Sequence, residues 1–163
     1  RFPGIRYLVV GDGDDRSRLV EKARRLGVED SVLFLGRIPD EALALHYRLA
    51  DVFVMPGHEA VDSEGRKFEG FGIVFLEAAA LGRPSIAGSS GGAPDAVVDG
   101  ETGFVVDPHD PAEFEERLLS LLSDPSMARR MGRAGRRRVE REFLWSKLPV
   151  RERLSFTDPR TTS

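Results

Sequence analysis

The amino-acid sequence predicts an α/β fold in which a parallel sheet of about five strands is flanked by helices. Short apolar runs rich in β-branched residues alternate with longer runs whose apolar residues recur at helical spacing. The links between these runs are short and contain glycine, proline or aspartate. This alternation is typical of doubly wound parallel sheets, and 163 residues are enough for about one such domain.

The predicted strands are short, apolar and bounded by turn residues. They span residues 5–10, 31–35, 51–55, 84–87 and 102–106. Three of the predicted helices have a clear start or stop signal: Gly27 ends the first, Asp40 is an N-cap for the second, and Pro111 occupies a first helical position. The predicted helices span residues 17–26, 41–49, 72–81, 94–98, 111–123 and 126–143.

The helix predicted over residues 72–81 is apolar almost all the way round, yet Glu77 lies in its middle. Such a helix is normally buried, and a buried carboxylate is costly unless partners satisfy it or it faces a cleft. Gly70 and Gly72 flank Phe71 at the helix start, where unpaired N–H groups can bind an anion. A long polar loop, residues 57–70, precedes this helix. We therefore expect a small-molecule site at the carboxyl edge of the sheet.

Glu69 and Glu77 are separated by seven residues. This spacing does not stack the two side chains on one helical face, as an i,i+4 pair would. It places Glu69 just ahead of the helix and Glu77 about a turn and a half into it, near the two ends of a ligand lying across the helix start. The structural alternative makes Glu69 a partner of the helix dipole and Glu77 a residue at the helix rim.

Composition excludes several other classes of function. The net charge of −3 gives no case for nucleic-acid binding, and the absence of cysteine excludes thiolate metal sites. His46, His58 and His109 are scattered without metal-ligand spacing, so no metal site is predicted. No apolar run approaches the length of a membrane span, and we expect a cytoplasmic location.

The last predicted helix is strongly basic, with seven arginines between Arg129 and Arg141. One interpretation is a solvated helix face. The alternative is contact with anionic lipid, as a peripheral protein on the inner membrane face, or with another domain. The tail over residues 157–163 is predicted to be disordered.

The segment EGFGIVFLEAAALGRPSIAGSSGGAPDAVVDGETGFVV, which begins at Glu69, resembles the signature of the retaining GT-B glycosyltransferases of the group 1 family. The resemblance extends from the strand ending in GDGD to the helix SMARRMGRAGRRRVEREF. The loop before Glu69 is most similar to that of the phosphatidylinositol-mannoside type of mannosyltransferase, which uses GDP-mannose. The resemblance implies that residues 1–156 form the C-terminal, Rossmann-like donor domain of a GT-B fold, without its first strand–helix unit.

The resemblance also implies a task for each candidate residue. Glu77 would accept hydrogen bonds from the two ribose hydroxyls, and Glu69 would be the catalytic carboxylate beside the donor sugar. N–H groups at the helix start would face the diphosphate, and the turn after the second strand would form the base pocket. The implied donor-binding residues are Glu77, Gly70, Phe71, Gly72, Ile73, Val74, Gly36, Arg37 and Ile38.

The implied reaction is transfer of a hexosyl group, with mannose as one candidate, from a GDP- or UDP-sugar with retention of configuration and without a metal. No residue is an evident covalent nucleophile, so we expect the acceptor to attack from the same face. The acceptor site would lie on an N-terminal Rossmann-like domain that is missing here, and we expect this piece alone to have little or no activity. The alternatives are a GT-B nucleotide-sugar epimerase and a non-catalytic nucleotide-binding or scaffold domain.

Overall fold

The computed structural model describes residues 2, 4–57, 60–61, 67–68 and 72–143. It divides into two compact units, Arg1–His46 and Tyr47–Ser163, and each unit is described by itself. The predicted disordered tail lies outside the described residues. No helix in the described part of the chain is both long enough and apolar enough to cross a membrane.

The first unit is built around one parallel strand pair. Strand β1 (Tyr7–Val10) pairs with β2 (Val32–Gly36), with Tyr7 opposite Val32. Helix α1 (Arg16–Arg25) connects them, as a parallel crossover requires. Helix α2 (Asp40–Leu49) follows β2 and continues into the second unit.

The second unit contains a three-stranded parallel sheet in the order β3-β6-β7. The sheet strands are β3 (Phe53–Met55), β6 (Ser85–Gly88) and β7 (Gly103–Val106). The helices are α3 (Ile73–Ala80), α4 (Ala93–Ala96), α5 (Pro111–Ser123) and α6 (Pro125–Arg138), and a π-helical segment (Val139–Phe143) continues α6. The predicted α/β class with parallel strands is confirmed.

The core of the second unit lies around strand β6, which is buried along its whole length. On one side Ile86 packs with Val106 and Leu121. On the other side Ala87 packs with Phe75 of α3 and with Val97. Burial on both sides explains why this strand reads in the sequence as an uninterrupted run of small and apolar residues.

Three features differ from the sequence prediction. The segment predicted as a polar loop contains a short antiparallel pair, β4 (Ala60–Val61) with β5 (Lys67–Phe68). Strands of two residues are too short to show alternation, so periodicity could not reveal them. The last predicted helix changes to π geometry at Val139. The five predicted parallel strands form a two-stranded sheet and a three-stranded sheet, where one sheet was predicted.

Helix α6 lies against α3 through two glycines. A Cβ atom built on Gly132 would lie 1.9 Å from the carbonyl oxygen of Gly82, and one built on Gly135 would lie 3.2 Å from the Cβ of Ala79. The contact at Gly132 is therefore backbone against backbone. Glycine inside a helix commonly has such a packing reason, since it otherwise costs stability relative to alanine.

Arg138 joins the end of α6 to α4. Its guanidinium donates to the carbonyl oxygens of Ala96 and Asp95, each at 2.8 Å, and forms an ion pair with Glu142 at 3.0 Å. The side chain of Arg138 is only 19% exposed. The interpretation of the last helix as a solvated face is therefore wrong at this residue.

Candidate functional site

Glu77 lies in the middle of α3 and is half-buried. Its Oε2 atom accepts a hydrogen bond from the hydroxyl of Tyr47 at 2.9 Å. Tyr47 belongs to the last turns of α2 and is 7% exposed. The carboxylate that the sequence places inside an apolar helix therefore has a buried partner on one oxygen. A carboxylate offers about four acceptor positions, and the hydrogen bond from Tyr47 uses one of them.

The ring of Tyr47 is held by neighbouring aromatic rings. It meets Phe53 of β3 edge to face at 5.4 Å between centroids, and Phe53 meets Phe75 of α3 in the same way at 5.6 Å. Burial, followed by the hydrogen bond to Glu77 and the charge of that carboxylate, raises the pKa of Tyr47 well above its usual range. The hydroxyl therefore stays protonated and remains a donor to Glu77 at physiological pH.

Among the described residues, no side chain caps the start of α3. Gly72 is its N-cap, with φ of +73°, and makes no side-chain cap. The carbonyl oxygen of Gly72 accepts a hydrogen bond from the N–H of Phe75 at 2.8 Å. The N–H groups of Ile73 and Val74 belong to the first turn, so they have no acceptor within the helix. The side chain of Ile73 is 65% exposed, and that of Val74 packs against the core. A Cβ at Gly72 would lie 2.7 Å from the Phe75 ring, so the position requires glycine for space as well as for backbone angle.

The loops that follow β3 and β6 meet at the carboxyl edge of the sheet. A Cβ on Gly88 would lie 2.2 Å from the carbonyl oxygen of Gly57, and Ser90 Oγ donates to that same oxygen at 3.2 Å. The start of α4 lies beside the start of α3, because the Cα of Ala93 is 3.9 Å from a Cβ built on Gly72. Two helix starts and two strand ends thus converge where parallel α/β folds bind ligands.

The predicted base-pocket residues belong to the first unit. Gly36 ends β2 with φ of +67°, and its carbonyl accepts from the N–H of Gly11 at 2.8 Å. The turns after β1 and β2 therefore lie side by side. Ile38 is half-buried, and Arg37 is exposed with no ion pair to any residue that the structure describes.

Three predicted residues, Glu69, Gly70 and Phe71, lie outside the described residues. Among the residues that are described, no cluster of three or more histidine, aspartate or glutamate side chains could hold a metal ion. The metal independence of the chemistry remains a prediction.

Comparison with known proteins decides the family. The family model for "Glycosyl transferases group 1" matches residues 1–138. The chain belongs to the group 1 glycosyltransferases. It is 43% identical over 145 residues to the GDP-mannose-dependent alpha-(1-6)-phosphatidylinositol monomannoside mannosyltransferase of Mycolicibacterium smegmatis. The match covers 89% of this chain and 37% of that protein, so the chain spans well under half of the relative's length.

Solved structures place the chain in the same group 1 glycosyltransferase fold. The C-terminal domain of the group 1 glycosyl transferase LpcC of Francisella tularensis has a TM-score of 0.74 at 27% identity, over 88% of this chain and 72% of that one. HepE of Anabaena in complex with UDP has a TM-score of 0.75 at 25% identity, over 86% of this chain and 37% of that one. These neighbours confirm that the chain has the fold of a part of the GT-B glycosyltransferases.

Sequence reasoning missed three contributors to the site of this group 1 glycosyltransferase. Tyr47 gave no signal, because an aromatic residue on an amphipathic helix is indistinguishable from ordinary core. The close approach of Gly57 and Gly88 was also missed, although glycines at both strand ends are a possible sign of it. The hydrogen bond by which Ser90 bridges the two loops was missed as well, because its partner Gly57 lies 33 residues earlier in the chain.

Proposed function

We propose that the chain is the donor-binding half of a retaining hexosyltransferase that takes mannose from GDP-mannose. The observation that carries the proposal is the half-buried Glu77, held by Tyr47 about one turn inside a helix whose N-cap, Gly72, makes no side-chain cap. The ribose of a nucleotide presents two adjacent hydroxyl donors, and a fixed carboxylate can accept from both. The GDP-mannose dependence of the similar mannosyltransferase supports this base and this sugar, and the complex of HepE with UDP makes uracil the alternative base.

The reaction assigns distinct work to the start of α3 and to Glu69, which precedes it in the sequence. The N–H groups of Ile73 and Val74 would stabilise the negative charge that develops on the departing diphosphate, with the helix dipole behind them. Such preorganised stabilisation is usually a large part of catalysis, and it requires no metal. We assign the charge beside the donor sugar to Glu69, where it would favour a transition state with oxocarbenium character. The acceptor would then attack the face that the diphosphate leaves.

Calorimetric titration of the chain tests this proposal directly. GDP and GDP-mannose are expected to bind, more tightly than UDP and UDP-glucose, and addition of EDTA is expected to leave the affinity unchanged. Loss of binding in EDTA would contradict the metal-independent site. Failure of all four ligands to bind a folded chain would favour a scaffold domain. Conversion of a UDP-sugar into its epimer without an acceptor, by a longer chain containing this domain, would favour an epimerase.

The Tyr47→Phe substitution tests the hydrogen bond to Glu77 separately from the packing of the ring. Phenylalanine keeps the edge-to-face contact with Phe53 but removes the donor to the carboxylate. We expect GDP affinity to fall by about 5- to 10-fold, because a hydrogen bond to a charged group is worth about 1.5–3 kcal/mol and only part of it serves to orient the carboxylate. Isothermal titration at two pH values on either side of neutrality measures this effect.

The same titration can contradict the role of Tyr47. Since the hydroxyl stays protonated throughout that range, the ratio of wild-type to variant affinity should not change between the two pH values. An affinity equal to that of the wild type would show that Glu77 needs no positioning. A melting temperature close to that of the wild type is required for the comparison.

A further inference from the structure

A line of arginines runs along the exposed face of α6. The helix contains six arginines and no acidic residue in its 14 positions. Arg129, Arg133 and Arg137 recur every four residues, so they lie on one line along the helix, and all three are exposed. These three residues are called the arginine stripe.

The arginine stripe differs from other arginines of the protein in its lack of carboxylate partners among the described residues. No residue that the structure describes forms an ion pair with Arg129, Arg133 or Arg137. Three of the four arginines of helix α1 do have a carboxylate partner. Arg16 forms an ion pair with Asp12 at 4.0 Å, Arg18 with Asp15 at 2.6 Å and Arg24 with Glu21 at 3.6 Å.

The arginine stripe is electrostatically unfavourable in the isolated domain. The four positions that lie beside Arg133 on the helix surface, three and four residues away in each direction, are all arginines: Arg129, Arg130, Arg136 and Arg137. Like charges at such spacings destabilise a helix by about 0.2–0.5 kcal/mol a pair. The chain has 27 acidic residues, yet none lies at these four positions around Arg133. The repulsion would be relieved by an external anion.

The surface beside the stripe is open and concave. Arg130, Arg133 and Arg137 line a depression of about 450 Å³ together with the turn at Gly100 and Glu101. Glu101 contributes the one carboxylate of this lining. No large apolar side chain of α6 is exposed among the described residues. The helix therefore has no hydrophobic side chain to insert into a partner, and it would bind that partner by charge.

We propose that the arginine stripe docks this domain on the surface of an anionic phospholipid bilayer. The proposal rests on the proposed function and adds an acceptor to it: the similar GDP-mannose-dependent enzyme is a phosphatidylinositol monomannoside mannosyltransferase, so we expect a phosphatidylinositol lipid as acceptor. A bilayer presents many phosphates in one plane, which matches several guanidinium groups on one line that have no ion pair with any described residue. Duplex nucleic acid fits less well, because the rest of the chain is acidic and the net charge is −3.

Flotation with vesicles of phosphatidylcholine, with and without phosphatidylinositol, tests the docking surface. The wild-type chain is expected to bind only the vesicles that contain phosphatidylinositol, and to dissociate as salt is raised. In the triple variant R129Q/R133Q/R137Q, partitioning should fall by about 100-fold, since each basic residue near an anionic surface contributes roughly a five-fold factor. The matched control R16Q/R18Q/R24Q removes the same charge from α1 and should keep most of the binding.

Several outcomes would overturn the docking surface. The first is an equal loss of vesicle binding in both triple variants. The second is vesicle binding that does not respond to salt or that also occurs with pure phosphatidylcholine. The third is a stripe variant that loses binding to duplex DNA but keeps binding to vesicles. GDP titration of the stripe variant separates the two proposals. A variant that binds GDP but not vesicles supports the surface, whereas a wild type that binds vesicles but no nucleotide contradicts only the proposed function.

Discussion

Replacing Glu77 by alanine is expected to weaken GDP binding by about 100-fold. In the proposed site the substitution would remove the acceptor for both ribose hydroxyls, and each hydrogen bond to a charged group is worth about 1.5–3 kcal/mol. It also leaves the hydroxyl of Tyr47, which is 7% exposed, without its partner. That second effect should lower the free energy of unfolding by about 1–3 kcal/mol. Titration calorimetry and thermal denaturation of the same preparation measure the two effects.

The Glu77→Gln variant is the control for charge and for stability. Glutamine has nearly the same shape and keeps an oxygen that can accept from Tyr47, so its melting temperature should stay near that of the wild type. It loses the negative charge, and we expect a loss of GDP affinity of about 10-fold, smaller than for alanine. Equal GDP affinity in the wild type and in both folded variants would remove Glu77 from the site.

The Gly132→Ala substitution is expected to destabilise the domain by about 2–3 kcal/mol. The new Cβ would lie 1.9 Å from the carbonyl oxygen of Gly82, and a backbone atom cannot rotate away as a side chain could. Helix α6 would have to move away from α3, at the cost of overpacking typical of a filled core. The helix propensity of alanine offsets only about 1 kcal/mol of this cost. Thermal denaturation should show a melting temperature lower by about 5–10 °C.

Gly135→Ala is the matched control, since it makes the same chemical change one turn along α6. There the new methyl group would meet the Cβ of Ala79 at 3.2 Å, a contact that a small shift can relieve. Its stability should lie within about 1 kcal/mol of the wild type, because the gain in helix propensity offsets the tight contact. Equal stability of the two variants would contradict the close backbone contact between Gly132 of α6 and Gly82.

The sequence predicted much of this fold because its signals are local. Apolar runs bounded by glycine and proline mark the strands, and Pro111 and Asp124 mark helix boundaries. Asp124 closes α5 and also caps α6, by accepting hydrogen bonds from the N–H groups of Met127 and Ser126. Those N–H donors, that of Met127 foremost, hold the pKa of Asp124 below its usual range. A cap of this kind can be predicted because both partners are neighbours in the chain.

The site was predicted less completely because its partners are distant in sequence. Glu77 stood out as a charge within an apolar helix, but its partner Tyr47 comes 30 residues earlier on another helix. No periodic signal links two such positions. Arg138 shows the same limit, since its hydrogen bonds to the carbonyl oxygens of α4 span more than 40 residues. Charge and periodicity report on one element at a time, whereas a site is made by contacts between elements.

The contact between Gly57 and Gly88 bears on how donor specificity can change in this family. At that edge of the site the carbonyl oxygen of Gly57 occupies the place where a side chain at position 88 would begin. Position 88 therefore cannot carry a side chain, whereas a Cβ built on Gly57 has no described atom within 4 Å. In the proposed site, selection for a new donor can act on position 57 and on the surrounding loops, while Gly88 stays fixed. An engineer seeking altered specificity should randomise position 57 and those loops and leave Gly88 unchanged.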